Sequence, residues 1–187
     1  MRQRLGKALA TTDQALALRD ETPGDQAFLF QLYTSIRQPE MDVLDWPAEQ
    51  KRAFLAQQQA AQSSHYRQHY PDARFLIVQQ QAEPIGRIYL SPGSSELRLM
   101  EIALLPAARG AGIGSCLLAG VLQLALEDGL CVSLHVEPFN PAYAWYQRLG
   151  FQVVEQRGVY YFMRLPPEHL EAALAHARNT DQRVSEV

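Results

Sequence analysis

The sequence predicts an α+β fold with a central mixed, mostly antiparallel sheet of about seven strands flanked by helices. The 187 residues are 47% hydrophobic and 20% charged, which is typical of an ordinary globular domain. Apolar residues recur at three- and four-residue spacing in some segments and alternate with polar ones in others. These segments follow one another as strand, two helices, three strands, helix, strand, helix and two strands, an order typical of an α+β arrangement.

The first part of the chain is predicted to contain one short strand and two helices. We interpret residues 1–14 as a flexible leader and 15–19 as the strand. Thr22 precedes a proline and can cap a helix that ends near Arg37. The apolar face of that helix consists of Phe28, Leu29, Leu32, Tyr33 and Ile36. A second helix, rich in alanine and glutamine, is expected over 47–70.

Three strands, a helix and a further strand are expected in the middle of the chain. Residues 74–81 and 85–90 are separated by a short turn and are typical of a hairpin, and 96–105 form a longer strand. The helix over 112–128 is apolar nearly all round, which predicts that both of its sides are covered. Alternating apolar and polar side chains predict a strand over 131–137.

The last elements are predicted to be a short helix and two strands. Asn140 precedes a proline, and this pair is suited to starting a helix. Strands are expected over 151–156 and 159–165. We expect residues 15–165 to form a single domain and 166–187 to form a tail that is partly helical or disordered.

Composition and charge argue against several classes of function. Seventeen Lys and Arg against twenty Asp and Glu leave a net charge of −3, which does not favour nucleic acid as a partner. No apolar run is long enough for a membrane span, and no secretory signal is evident. Cys116 and Cys131 fit neither a Cys-x-x-Cys pair nor a metal spacing and indicate two packed thiols in a reducing compartment. A cytoplasmic protein is expected.

A glycine-rich stretch lies between the predicted strand 96–105 and the helix that follows it. It consists of Arg109-Gly110-Ala111-Gly112-Ile113-Gly114. The first N–H groups of a helix have no helical partner and carry partial positive charge, and glycines let the backbone approach a phosphate. The stretch therefore predicts an anion-binding loop. A Walker loop would need a lysine here, and a dinucleotide fold would need another glycine spacing, so both alternatives are weakly supported.

The same stretch closely resembles the cofactor motif of the GNAT acetyltransferase superfamily, Arg/Gln-x-x-Gly-x-Gly/Ala. Arg109, Gly112 and Gly114 occupy its fixed positions, and Leu104-Leu105-Pro106 resembles the approach to it. Residues 140–151 are similar to a second signature of the family, and Asn140, Tyr146 and the final Gly150-Phe151 occupy matching positions. They depart from it at Tyr143, where the family often has alanine.

The resemblance implies a GNAT-like three-layer fold and an N-acetyltransferase that uses acetyl-CoA. In this family the strand before the glycine loop separates from the next parallel strand, and the pantetheine arm of the cofactor lies in the gap. The amine then attacks the thioester directly, and no metal takes part. The cofactor-binding residues implied are Ile102, Ala103, Leu104, Arg109, Gly110, Ala111, Gly112, Ile113, Gly114, Ser115, Asn140 and Tyr146.

Two proton transfers accompany this chemistry, and the sequence offers candidates for both. Tyr146 matches the tyrosine that the family uses as an acid near the sulfur, although it also fits as an aromatic core residue. Glu101 is the candidate base, because it immediately precedes the residues expected to pair with the cofactor. Glu101 can instead form an ion pair with Arg87 or Arg98. His135 is the rival base.

The acceptor side is less defined. His65 and His69 lie one helical turn apart and can bind a metal as a pair, but no third ligand is evident, so a solvated helix is the simpler interpretation. Aromatic residues of the region that forms the acceptor side in GNAT proteins can line a substrate pocket or belong to the core. They are Tyr33, Trp46, Tyr66 and Tyr70.

Two alternatives to an N-acetyltransferase remain open at this point. A non-catalytic acyl-CoA sensor or interaction module would keep the fold without turnover, and an oxidoreductase would bind NAD instead of CoA. The acceptor can be a polyamine, an amino acid, an antibiotic or a protein amine. A homodimer through the final strands is possible, because exposed strands in this fold often pair.

Overall fold

The computed structural model describes residues 1–9 and 14–184 and centres on a seven-stranded sheet. The strands are β1 (Leu16–Asp20), β2 (Arg74–Gln80), β3 (Glu83–Pro92), β4 (Glu96–Leu104), β5 (Cys131–Val136), β6 (Gln152–Arg157) and β7 (Tyr160–Leu165). They lie in the order β1-β2-β3-β4-β5-β7-β6. Only the pair of β4 and β5 is parallel. The prediction of an α+β fold with a mixed, mostly antiparallel sheet is confirmed.

Helices cover both faces of the sheet. They are α1 (Arg2–Leu9), α2 (Gln26–Asp42), α3 (Ala48–His69), α4 (Ile113–Asp128), α5 (Ala142–Arg148) and α6 (Leu170–Val184). One face carries α4, which contacts α1, α6, β4 and β5. The other face carries α2 and α3, since α2 contacts β4 and Tyr66 of α3 packs against Tyr89 of β3. The protein therefore has the three layers that the family resemblance implies.

The main core lies between the sheet and α4. Ten of the sixteen residues of α4 are buried, on all sides of the helix, as its apolar sequence predicted. Each large aliphatic side chain that is removed from water stabilises the fold by about 1.5–3 kcal/mol. This helix therefore anchors the glycine loop that precedes it to the most buried part of the protein.

The N-terminal segment differs from the predicted flexible leader. Arg2–Leu9 form helix α1, and its Leu5 and Leu9 are completely buried against the core. The approach to α4 is close: a Cβ at Gly120 would lie 2.8 Å from Leu5 Cδ1. A single pair of leucines one turn apart is too short a pattern to be recognised in the sequence, which is why this helix was not predicted. Residues 10–13 of the predicted leader lie outside the described residues.

The C-terminal segment is helical over α6, which packs against α4. Its buried residues are Leu170, Ala173, Leu174 and Ala177. Residues 170–184 of the predicted tail are thus helical, and residues 185–187 lie outside the described part. In the described residues, none of the helices combines the length and the apolar character needed to cross a membrane.

Helix α2 continues beyond its predicted end near Arg37. It runs to Asp42 although Pro39 lies within it. Met41, close to the end, is 6% exposed and belongs to a small apolar cluster with Tyr33 and Leu55. Packing against α3 therefore outweighs the local preference of proline, which removes a backbone N–H and disfavours the middle of a helix.

β4 and β5 separate half-way along β4. Their parallel pairing covers only Glu96–Leu99 against Cys131–Leu134. β4 nevertheless continues to Leu104, where it pairs with β3 alone, after an irregularity opposite Tyr89 and Leu90. The separation opens a gap in the sheet immediately before the glycine loop.

Candidate active site

The glycine loop forms an outward-facing turn at the start of α4. Gly110 and Gly112 adopt left-handed backbone angles, with φ of 77° and 78°, a region that glycine enters without strain. The first helical hydrogen bond of α4 runs from Cys116 N–H to Gly112 O, at 3.0 Å. The amides of the three residues before Cys116 therefore precede the helical ladder and have no partner within it.

Space outside this loop is open. A Cβ placed on Gly110 or Gly114 would have no heavy atom within 4 Å. Arg109 folds back so that its Nε donates to Leu104 O, at 2.8 Å. This hydrogen bond ties the loop to the end of β4 through Nε, and the Arg109 side chain is otherwise exposed. The arrangement has the room, the donors and the cation that an anionic ligand needs.

A cleft of about 730 Å³ adjoins the gap between the separated strands. Ile102 and Ala103 of β4 line one side, and Val136 and Glu137, at the end of β5, line the other. Four tyrosines also line it, namely Tyr33, Tyr66, Tyr70 and Tyr160. Trp46 is not part of the lining and packs edge-on against Phe54, at 5.5 Å between ring centroids. Of the aromatic residues considered for the acceptor side, three therefore lie in the cleft.

Glu101 lies in this cleft and is held by a buried arginine. Nη2 of Arg87 donates to both carboxylate oxygens of Glu101, at 2.8 and 2.9 Å. The Arg87 side chain is 4% exposed and that of Glu101 17% exposed. Although burial alone would lower it, the negative charge of Glu101 holds the pKa of Arg87 above its usual value. Glu101 thus faces the cleft on one side and binds a buried arginine on the other.

The other arginine considered as a partner of Glu101 is engaged elsewhere. Nη2 of Arg98 donates to Glu96 at 2.6 Å, and Nη1 donates to the hydroxyl of Tyr70 at 3.4 Å. The ion-pair partner of Glu101 is therefore Arg87 and not Arg98.

The match of the sequence to a family decides the class of this site. The chain fits the acetyltransferase (GNAT) family over residues 36–151, which include the glycine loop, the separated strands and most of the cleft. The chain belongs to the GNAT family.

Solved GNAT structures have the same fold at low sequence identity. PaiA N-acetyltransferase from Thermoplasma acidophilum, in complex with coenzyme A, is 19% identical with a TM-score of 0.61, over 81% of this chain and 98% of that one. FdhC, a nucleotide-linked sugar GNAT, is 13% identical with a TM-score of 0.60, over 87% and 93%. Naa50 from Arabidopsis thaliana, bound to the bisubstrate analogue CoA-Ac-MVNAL, is 17% identical with a TM-score of 0.54, over 81% and 98%. Comparison with curated proteins gives no match.

Tyr146, the tyrosine of the second GNAT signature, is buried. It is 8% exposed, packs against Trp145 and Phe151, and shares the main core with Ile113 and Cys116 of α4. Burial raises the pKa of Tyr146 to about 12. Its hydroxyl therefore stays protonated at neutral pH, which a proton donor requires. The structure thus places Tyr146 in the main core and not among the residues that line the cleft.

Asn140 of the same GNAT signature is exposed and has a structural partner. Its Oδ1 accepts the N–H of Ala142, at 2.9 Å, and so caps the start of α5. Asn140 also lines the cleft. The structure thus places it between the end of β5 and α5, where its side-chain oxygen is already engaged.

His135 follows directly after the last pair that joins β4 to β5 and lines the cleft. Its ring packs against Phe162, at 5.0 Å between centroids. Burial, and then the charges of Arg98 and Arg157, lower the pKa of His135 below its usual value. The imidazole is therefore neutral at neutral pH and able to accept a proton.

The histidine pair of α3 shows no metal-binding arrangement. His65 and His69 stack at 4.2 Å, and Nδ1 of His69 lies 2.9 Å from the carbonyl oxygen of His65. Across residues 1–9 and 14–184, no three His, Cys, Asp or Glu side chains come close enough together to hold a metal ion. His65 also lines the cleft.

Several charged residues of the GNAT cleft were not found from the sequence. Arg37, Glu137 and Arg157 line it but come from α2, the loop after β5 and the edge strand β6. No local motif links them, because only the folded sheet brings these segments together. The available signal in the sequence was the alternation of side chains between the two faces of a strand, which places Arg157 on the same face of β6 as Glu155.

Proposed function

We propose that this GNAT-family protein transfers the acetyl group of acetyl-CoA directly to an amine in the cleft. The observation that carries the proposal is the separation of β4 from β5 beyond Leu99 and Leu134. The residues that flank this gap, Ala103 and Val136, also line the cleft. A donor that is held along β4 and an acceptor in the cleft would therefore meet at one place.

The glycine loop fits the pyrophosphate of CoA. Three amides at the start of α4 have no helical partner, and Gly110 and Gly114 leave open space beside them. A helix N-terminus favours a bound phosphate through its N–H donors and its partial positive charge. We assign residues 110–115 to this role, with Arg109 as the neighbouring cation.

The strand β4 would hold the rest of the donor. When bound, acetyl-CoA supplies a thioester carbonyl that an amine can attack. Ile102, Ala103 and Leu104 pair with β3 on one side only and have no partner in β5, although Leu104 O accepts a hydrogen bond from Arg109 Nε. A backbone N–H fixed at this edge would stabilise negative charge that develops on the carbonyl oxygen.

Glu101 is the proposed proton acceptor and His135 the alternative. The carboxylate of Glu101 is fixed in place by Arg87, and its exposed side faces the cleft. It can hold the incoming ammonium group and take its proton. His135 is neutral and lines the same cleft. Loss of the acidic limb of the rate profile in Glu101→Gln, with the limb retained in His135→Gln, would favour Glu101. The opposite pattern would assign the role to His135.

Tyr146 is proposed to protonate the departing sulfur. The raised pKa keeps its hydroxyl protonated, and the family signature supports this role. Asn140 is proposed to support the cofactor site indirectly, because its cap fixes the start of the helix that carries Tyr146.

A thiol-release assay with acetyl-CoA and a panel of amines tests the proposal. The panel contains a polyamine, amino acids, an aminoglycoside, short peptides and a lysine side chain. Release of CoA that depends on one class of amine is the expected result. Tight binding of CoA without release for any amine would favour the non-catalytic sensor. Failure to bind CoA at all would overturn the assignment of the glycine loop.

Two further expectations from the sequence remain proposals. We propose a cytoplasmic location, on the basis of the cysteine usage. We also propose a homodimer through β6, the edge strand of the sheet, where Val153 and Val154 are 43% and 57% exposed. Sedimentation or light scattering of the purified protein tests the second expectation.

A further inference from the structure

The wall of the cleft that faces away from Glu101 carries cations around one aromatic ring. Phe162 of β7 is 6% exposed. The guanidinium carbon of Arg157 lies 4.3 Å from the centroid of this ring, and that of Arg98 lies 5.6 Å away. Both arginines line the cleft. The stacked ring holds the two cations in fixed positions.

Arg157 is the member of this pair that can bind a ligand. Its Nε donates to Glu155, at 2.8 Å, and about half of its side chain is exposed. In the part of the chain that the structure describes, Glu155 is its one hydrogen-bond partner, so Nη1 and Nη2 are available at the cleft. Arg98 uses all three of its nitrogens on Ser133, Tyr70 and Glu96. Arg98 therefore adds charge, and Arg157 adds both charge and donors.

The carboxylates that pair with these arginines lie outside the lining of the cleft. Glu96 and Glu155 pair with Arg98 and Arg157 but are not part of the lining. Arg164 lies at the same ring and also pairs with Glu96. Burial lowers the pKa of His135, and the charges of Arg98 and Arg157 lower it further. This effect indicates positive surroundings at the same place.

One further pair of charges lines the cleft. The charge of Glu137 acts on both Tyr160 and Arg37. Arg37 also forms an ion pair with Glu40, at 2.7 Å. The charges of Arg37 and Glu137 offset each other. The cleft therefore offers the exposed side of Glu101 as its carboxylate and the unengaged terminal nitrogens of Arg157 as its cationic donors.

The sheet sets the separation between these two ends. Residues 101 and 162 lie on β4 and β7, with only β5 between them. Because β4 has already separated from β5 at residue 101, the distance between these ends exceeds that across paired strands. An acceptor that reaches both ends is therefore an extended molecule, such as a short peptide or a long-chain amino acid.

We propose that the acceptor is an extended primary amine that carries a carboxylate at its far end, and that Arg157 binds this carboxylate. The proposal rests on the acetyltransferase function and names its substrate class. The amine lies at Glu101, beside the gap where β4 leaves β5. The carboxylate lies over Phe162, where it forms charge-assisted hydrogen bonds with the terminal nitrogens of Arg157.

Matched acceptors with and without the negative charge test this proposal. Triglycine is compared with triglycinamide, and ω-aminooctanoate with ω-aminooctanamide, so that each pair differs only in the carboxylate. A comparison of the two pairs distinguishes a peptide acceptor from a long-chain amino acid. The wild-type protein is expected to prefer the carboxylate of at least one pair by about tenfold in kcat/KM, mainly through KM. Arg157→Gln is expected to reduce this ratio to near one. Arg74→Gln, which removes an exposed arginine of β2 outside the cleft, is expected to retain it.

Equal use of the acid and the amide by the wild-type protein would overturn the proposal. A preference that survives in Arg157→Gln would do the same. The binding of N-acetyltriglycine and N-acetyltriglycinamide in the presence of CoA gives a readout that needs no turnover. The two proposals can also fail separately. If the protein acetylated no amine, the proposed acetyltransferase function would be wrong. If it nevertheless bound N-acetyltriglycine more tightly than N-acetyltriglycinamide, and lost this difference in Arg157→Gln, the carboxylate site would still be supported.

Discussion

Arg87 Nη2 bridges both carboxylate oxygens of Glu101, so the acidic residue of the cleft is also the counter-ion of a buried arginine. The same nitrogen also donates to Gln62 of α3, at 3.0 Å, and Nη1 donates to the hydroxyl of Tyr89, at 3.3 Å. A charge removed from water is tolerated only with such partners. The side chain proposed to act on the acceptor thus also stabilises the fold.

Glu101→Gln is therefore expected to destabilise the protein as well as to affect turnover. It leaves the charge of Arg87 buried without its counter-ion, which costs about 3 kcal/mol in the free energy of unfolding. The double variant Arg87→Met with Glu101→Gln removes both charges and is expected to recover most of this loss. Urea unfolding of the three proteins measures it.

Glu83→Gln is the matched control, because Glu83 is an exposed residue of β3. It should change the free energy of unfolding by less than about 0.5 kcal/mol. A Glu101→Gln variant as stable as this control would show that the ion pair with Arg87 contributes nothing. The change in its rate could then be interpreted without any correction for folding.

Two glycines of the loop are expected to respond to alanine in opposite ways. Gly112 has a φ of 78°, so Gly112→Ala forces a strained backbone, costs about 1 kcal/mol and misdirects the amides of the first turn. Gly114 lies inside α4 with open space at its Cβ, so Gly114→Ala stabilises the helix by about 0.5–1 kcal/mol. Thermal unfolding and calorimetric titration with CoA measure both effects.

The affinity for CoA shows whether the glycine loop binds the cofactor or is only a turn in the chain. Gly112→Ala should weaken CoA binding at least tenfold, whereas Gly114→Ala, which matches the Gly/Ala position of the motif, should bind it as the wild-type protein does. Unchanged affinity in Gly112→Ala would show that these amides do not hold the pyrophosphate.

The sequence predicted the fold and the loop well, because both depend on local patterns. The glycines and Arg109 lie within six residues, and the order of strands and helices follows from periodicity. The partner of Glu101 could only be narrowed to two arginines, since β3 and β4 must pair before Arg87 and Glu101 meet. Arg157 was missed for the same reason, because it reaches the cleft from the far edge of the sheet.

Tyr146→Phe is expected to lower kcat about a hundredfold and to leave the KM for acetyl-CoA nearly unchanged, since a positioned acid contributes to the transition state. The variant keeps the ring that packs against Phe151. Because the pKa of Tyr146 is raised to about 12, its ionisation should not appear in the rate profile below about pH 10. Steady-state kinetics across pH measure both effects, and equal turnover in the variant would remove Tyr146 from the mechanism.

The same pKa predicts a loss of stability in alkali. The folded-state pKa is raised, so the contribution of Tyr146 is fully present below the unfolded value of about 10 and is lost as the pH rises toward about 12. At about pH 11 the wild-type protein should therefore have lost about 1 kcal/mol more than Tyr146→Phe, relative to neutral pH. Urea unfolding of both proteins at the two pH values measures the difference. An identical loss would contradict the buried hydroxyl.

Helix α1 is expected to be a structural part of the protein. Leu5→Ala should cost about 2–4 kcal/mol, because Leu5 is completely buried against Gly120 and the neighbouring side chains cannot fill the space. Lys7→Ala, on the exposed side of the same helix, is the matched control and should be nearly neutral. Chemical unfolding measures both. If Leu5→Ala were as stable as Lys7→Ala, the N-terminal segment would behave as the flexible leader that the sequence predicted, and α4 would not depend on it for its cover.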